Sequence, residues 1–111
     1  MINRGDIWMI DLGGRIDLHP VFILSRQNVL KHLNKIIVAE IITQGKGYPT
    51  EVFINQKANL PKPSFIQTDN IHTIQKNRLE KCLGTLDSVT MKEVSQKIIM
   101  AMELESRLYQ S

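Results

Sequence analysis

Lys35 to Ile54 reads KIIVAEIITQGKGYPTEVFI, and this stretch decides the fold. Its opening run, Ile36-Ile37-Val38-Ala39, is rich in β-branched residues and fits a strand buried on both faces better than one face of a helix. A Thr43-Gln44-Gly45-Lys46-Gly47-Tyr48-Pro49 segment follows, whose two glycines and proline forbid regular structure. Glu51-Val52-Phe53-Ile54 then returns as a second strand. Two strands thus hold up a short loop that presents Thr43, Gln44, Lys46 and Tyr48 together. A hydroxyl, an amide, a cation and an aromatic ring on one loop suit a polyanion that carries bases; the plain alternative is an ordinary polar hairpin loop.

Outward from that stretch, the 111 residues are enough for one core and too few for two, so residues 1–111 read as a single domain. A hydrophobic content of 42% excludes a disordered chain. No apolar run approaches the roughly 20 residues needed to span a bilayer. The N-terminus passes straight from Met1-Ile2-Asn3 into a strand pattern, which argues against a signal peptide and for the cytoplasm. Cys82 alone permits no internal disulfide and reads as an inert, partly buried thiol in a reducing compartment. His19, His32 and His72 lack metal-ligand spacing, so neither a metal nor another cofactor is expected. The formal net charge of +3 favours RNA, DNA or an acidic protein as partner.

In chain order, Ile7 to Leu12 reads as a first strand ended by Gly13-Gly14. After a loop through Arg15, Pro20 heads a second strand, Val21 to Leu24. Gln27 to Asn34 forms a short helix or a turn. Beyond the Lys35–Ile54 strand pair, the prolines of Gln56 to Pro63 make a loop. Ser64 to Asp69 is a fifth strand, which Ile71-His72-Thr73-Ile74 either continues or follows after a bulge. Gln75 to Lys81 carries Arg78 on a helical turn, and Cys82 to Leu86 is a last short strand. Asp87 or Ser88 then caps a long terminal helix, with Glu93 early and Arg107 late as its dipole prefers. Val94, Ile98, Ala101 or Met102, and Leu108 form its docking stripe, and Met91, Met100 and Met102 read as core filler. Short strands with polar turns and one long helix predict a mainly β fold with α: a small, strongly bent antiparallel barrel with a C-terminal helix.

The order of these motifs resembles the MazF/PemK (Kid) family of type II toxin–antitoxin toxins. Arg4-Gly5-Asp6-Ile7-Trp8 with Asp11-Leu12 and Pro20-Val21 is similar to that family's opening. Ile42 to Val52 resembles its second motif, Asp69 to Ile74 with Arg78-Leu79 its third, and Gly84-Thr85-Leu86 with the Thr90–Val94 helix its tail. The resemblance implies an SH3-like barrel of the CcdB/MazF/Kid type, forming a homodimer with single-stranded RNA in a groove at the interface. It also implies a small acidic antitoxin that occupies the groove, and no membrane. The implied activity is a metal-independent endoribonuclease acting on mRNA. The ribose 2′-OH attacks the adjacent phosphorus, leaving a 2′,3′-cyclic phosphate and a free 5′-OH. Such a transfer needs a base, an acid, and donors where charge grows on the phosphoryl oxygens.

The chain departs from the family at points that bear on this chemistry. The residue before the proline is characteristically arginine in the family and is His19 here. An arginine grips two phosphate oxygens with a fixed fork, whereas an imidazole is only partly charged near neutrality and suits proton transfer. His19 is therefore either an acid or base itself, or a strand-end filler in a site that has lost activity. His72 also stands where arginine is common, and reads as an RNA contact or a half-exposed loop residue. The loop from Leu12 to His19 is shorter than usual, and Arg15 within it either replaces the missing guanidinium or is a solvated charge. Thr43 matches the motif threonine that donates to the scissile phosphate. Asp69 matches the acidic position proposed as general base in Kid-like members, but the arginine two residues earlier is Gln67 here, so Asp69 is a base or a structural acceptor. The expected catalytic set is Thr43, His19 and Asp69, with Arg15, Gln44, Lys46, Tyr48, His72 and Arg78 as RNA contacts. Two competitors are a catalytically weak dimer that binds its antitoxin or regulates, and a CcdB-like poison of DNA gyrase.

Overall fold

The computed structural model describes residues 1–11 and 18–104. Arg15, the Gly13-Gly14 strand end, Arg107, Leu108 and the rest of the tail lie outside the described residues. Six strands, β1 (Asp6–Asp11), β2 (Leu18–Ile23), β3 (Lys35–Ile42), β4 (Glu51–Asn55), β5 (Ser64–Gln75) and β6 (Leu79–Thr85), precede one helix, α1 (Ser88–Ala101). The strands make one antiparallel sheet in the order β4-β5-β3-β2-β1-β6. This is the mainly β fold with a C-terminal helix that the sequence predicts, but the edge strands β4 and β6 do not pair, so the sheet is not closed. The turn after β4 approaches the gap instead, where Asn59 Nδ2 donates to the Leu83 carbonyl at 2.7 Å.

The strand pair at Lys35–Ile54 differs from its sequence reading. Both strands form, but they are not a hairpin, because β5 inserts between β3 and β4. The loop between them has to step across one strand. With β3 in the middle of the sheet, its two faces feed two cores. Ile36 and Val38 pack with Ile10, Val21, Ile23 and Leu30. Ala39 and Ile41 pack with Ile7, Phe22, Val52, Ile66 and the helix residue Val94. Each fully buried aliphatic or aromatic side chain of this kind contributes about 1.5–3 kcal/mol. Within the Ile36–Ala39 run, burial on both faces thus holds except at Ile37, which lies at the margin of α1 and is 44% exposed.

Pro20 falls inside β2, opposite Met9, rather than at its head. It is tolerated because the β3 ladder begins only at Val21, one residue later. β5 is a single strand with a pronounced bulge. Ala39 pairs with Ile71 and Glu40 with Gln67, so Thr68, Asp69 and Asn70 are looped out of the ladder. Gln27–Val29 makes one 3₁₀ turn, as does Lys76–Arg78.

Asp87 caps α1, its Oδ1 accepting from the Thr90 N–H at 2.8 Å. Glu93 sits beyond the first turn, so the capping carboxylate is the charge that complements the dipole at that end. Of the methionines, Met91 packs against the core while Met100 and Met102 are exposed. The reading of all three as filler fails because α1 covers the sheet with one face only. Cys82 is exposed on β6 rather than partly buried. Local desolvation and then the nearby Asp6 carboxylate push its thiol pKa up, which lowers its thiolate fraction.

Candidate functional site

The loop after β3 is held by one carboxylate. Glu51, the first residue of β4, accepts from the Lys46 N–H at 2.9 and 3.0 Å and from the Gly47 N–H at 3.1 Å. Gly47 has φ of +80°, a region closed to most side chains, and at Gly45 a Cβ would lie 3.0 Å from the Phe65 ring. The loop's shape thus requires Gly47 by its backbone conformation and favours Gly45 by the closeness of the Phe65 ring. The two glycines leave Thr43, Gln44 and Lys46 on the wall of one hollow of about 400 Å³, which His19, Pro20 and Gln67 also line. Thr43 and His19 meet there, from the end of β3 and the start of β2.

A second hollow of about 320 Å³ shares His19, Pro20 and Ile41 with the first and extends along the same groove. Its floor is apolar, from Ile10, Val21, Val38 and Ile74, and its polar rim is His19, Glu40, His72 and Thr73. His72 Nε2 lies 2.5 Å from Glu40 Oε2, with both side chains about half exposed. Glu40 also pairs with Gln67, and Gln67 with Glu51, so three polar side chains cross neighbouring strands in one row. Gln67 is buried, and its Oε1 accepts from Asn70 Nδ2 at 2.8 Å.

Asp69 is placed differently from Thr43 and His19. Its Oδ2 accepts from the Thr50 hydroxyl. Thr68, its neighbour in the bulge, donates through Oγ1 to the Thr50 carbonyl at 2.6 Å. These contacts tie the bulge to the end of the loop, and Asp69 is not among the residues lining either hollow. Tyr48 is 56% exposed and lines neither hollow. Arg78 Nη1 donates at 3.4 Å to the Asp11 carbonyl.

Glu40 and Gln67, which line the groove, and Glu51, which holds its loop, are the residues to which sequence reasoning gave no part in the site. Glu40 carries a readable signal, a lone carboxylate inside the apolar run from Ile36 to Ile42. Glu51 carries none, since its partners are backbone amides. A larger hollow, about 460 Å³, lies at the other end of β3 around Asn34, Lys35, Gln75, Lys76 and Asn77. Its Lys76 ammonium donates to the Leu30 carbonyl at 2.8 Å, and among the described residues no hydroxyl, thiol, carboxylate or imidazole lines it.

Comparison with known proteins agrees with this fold. The family model for PemK-like, MazF-like toxins of type II toxin–antitoxin systems matches residues 3–102. An endoribonuclease MazF of Staphylococcus saprophyticus is 35% identical over 118 aligned positions, covering 96% of this chain and 95% of that protein. The endoribonuclease MazF3 of Mycobacterium tuberculosis is 34% identical, over 78% of this chain and 84% of its own length. Among solved structures, the Mycobacterium tuberculosis toxin MazF-mt6 superposes with a TM-score of 0.82 at 31% identity, covering 90% of this chain and 98% of its own. A mycobacterial endoribonuclease solved in complex with its cognate antitoxin gives a TM-score of 0.82 at 25% identity, over 95% of this chain and 98% of its own. With the family model spanning nearly the whole chain and a relative of this identity along its full length, the chain belongs to the PemK-like, MazF-like toxins of type II toxin–antitoxin systems.

Proposed function

We propose that the protein is the toxin of a type II pair, an endoribonuclease that cuts single-stranded mRNA without a metal ion. The observation that carries this reading is the meeting of Thr43, His19, Gln67 and Lys46 around one hollow, in a chain whose relatives are named endoribonuclease MazF. Thr43 donates its hydroxyl to a phosphoryl oxygen of the scissile group, and the Lys46 ammonium stabilises the charge that grows there. His19 moves a proton, since imidazole is the side chain that changes charge near neutral pH. Asp69, engaged by Thr50, acts as the acceptor that fixes the bulge behind the loop. Gln44, Tyr48, His72, Arg15 and Arg78 contact the RNA, with the exposed Tyr48 ring offering a face for a base to stack on.

The working form is a homodimer in the cytoplasm with a small acidic antitoxin as partner. The mycobacterial relative solved with its cognate antitoxin supports the antitoxin as partner. Among the described residues no helix is long and apolar enough to cross a membrane. A second reading, an antitoxin-binding dimer of little catalytic power, is favoured by one observation: His19 supplies no guanidinium fork at the groove.

One experiment separates the two. Purified protein is incubated with a long single-stranded RNA in EDTA, and the new ends are tested for 2′,3′-cyclic phosphate. Cyclic ends, lost in Thr43→Ala and His19→Ala, support the nuclease. RNA left intact at high protein concentration refutes it and leaves the binding module.

A further inference from the structure

Building on the nuclease reading, we propose that His72 is the general base of the cleavage and His19 its general acid, with Glu40 the positioning residue behind His72. Both imidazoles open onto the 320 Å³ hollow, one from β2 and one from β5, with β3 between them. Strands lie about 4.8 Å apart, which sets β2 and β5 roughly 10 Å from each other across β3. A phosphodiester whose 2′ and 5′ oxygens leave in line needs one proton-transfer group on each side. The groove supplies two. Asp69, the acidic residue that the sequence singles out for this work, has a carboxylate oxygen held by Thr50 and lines neither hollow.

The division of roles follows from Glu40. Its Oε2 meets Nε2 of His72, which places the ring proton on Nε2 and leaves the lone pair on Nδ1. That nitrogen takes the 2′-OH proton, and the adjacent carboxylate stabilises the imidazolium that forms. No carboxylate is hydrogen-bonded to the His19 ring among the described residues, so His19 in its protonated form is the better proton donor. The ionisable side chains lining the groove among the described residues are His19, Glu40, Lys46 and His72.

The step balances without a co-reactant. The 2′-oxygen–phosphorus bond forms as its proton passes to His72 Nδ1. The phosphorus–5′-oxygen bond breaks as His19 gives its proton to the departing oxygen. Exchange with water then returns the two imidazoles to their starting states.

The test compares two oligonucleotides with the full-length protein, one a normal RNA and one with sulfur in place of the scissile 5′-oxygen, whose thiolate leaves without a proton. His72→Ala and His19→Ala should each lower kcat on the normal RNA by about 10²–10⁴-fold. Sulfur should restore most of the rate to His19→Ala and little to His72→Ala. His72→Arg, which keeps a cation and loses the base, should be as slow as His72→Ala. His72→Ala should also lose the acidic limb of the pH–rate profile, and Glu40→Gln should lower kcat with KM unchanged. His72→Ala within threefold of wild type, a fully active His72→Arg, or sulfur rescue of His72→Ala each overturns the assignment. Absence of cleavage by the wild-type protein overturns the nuclease reading itself, so the two failures are distinct.

Discussion

Removing the Glu51 carboxylate should loosen the catalytic loop while leaving the fold in place. Glu51 satisfies two backbone donors, Lys46 and Gly47, in a loop that carries Thr43 and Gln44 to the groove. A hydrogen bond to a charged acceptor is worth about 1.5–3 kcal/mol. At this half-exposed site water replaces part of that, so the net loss in Glu51→Ala is about 1–2 kcal/mol, or a 5–30-fold shift toward the open loop. Glu51→Gln keeps an acceptor without the charge and should lose only a few-fold. Amide hydrogen exchange by NMR reads the effect directly, because Lys46 and Gly47 should lose protection by that factor while amides of β3 keep theirs. Cleavage rate should fall in parallel, and the melting temperature should move by only a few degrees, since Glu51 lies on an edge strand. Unchanged exchange at Lys46 and Gly47 in Glu51→Ala would refute the account of how this loop is held.

Three further outcomes follow from the packing and the charges. Asp6 is buried and accepts from the Asn3 N–H at 2.8 Å, Trp8 Nε1 at 3.1 Å and the Thr85 hydroxyl at 2.6 Å. Asp6→Ala should therefore cost about 3–4 kcal/mol in urea unfolding, and a loss under about 1 kcal/mol would show that water takes over the three donors. Phe22 is fully buried in the core beneath α1, so Phe22→Ala should cost about 3–5 kcal/mol with an unchanged denaturant slope. The Asp87 carboxyl is held below its ordinary value of 3.8, first by the Thr90 N–H and then by the Thr90 side chain. A depressed folded-state pKa gives stability that is present above the unfolded value and lost as pH falls through the folded one. The gap in melting temperature between wild type and Asp87→Ala should accordingly be constant near neutrality and shrink once the pH drops below about 4; a gap independent of pH would show that the cap works without its charge.

Periodicity and turn chemistry are enough to find all six strands and the helix, and to narrow its cap to Asp87 or Ser88, because each is written in local residue choice. Strand order is not. Lys35–Ile54 looks like a hairpin because its two strands and intervening glycines are all local signals, whereas the insertion of β5 between them depends on β3 pairing with residues 23 to 40 positions away, a separation that no local pattern encodes. The site divides in the same way. Thr43, Gln44, Lys46 and His19 could be read from motif and residue type, and they share one hollow. Asp69 and Glu40 could not be placed, because Asp69 is one of three residues that bulge out of β5 and the contact of His72 with Glu40 depends on the register that bulge sets. Burial of Met100, Met102 and Cys82 failed for a simpler reason: side-chain type says how much a residue gains from burial and nothing about which face is covered.

The looped-out Thr68-Asp69-Asn70 segment has a consequence for how this protein tolerates change. Side chains along a strand alternate faces, and at present His72 opens on the groove while Ile71 lies on the opposite side, near Ile37 and Ile98. Loss or gain of a single residue within the bulge, if the downstream pairing slipped by one to absorb it, would exchange the two, turning the imidazole toward the helix and an isoleucine into the RNA path. What matters is therefore the register and not the length of the detour: a change absorbed inside the bulge leaves both faces as they are, a slip of two restores them, and a slip of one acts as an off-switch.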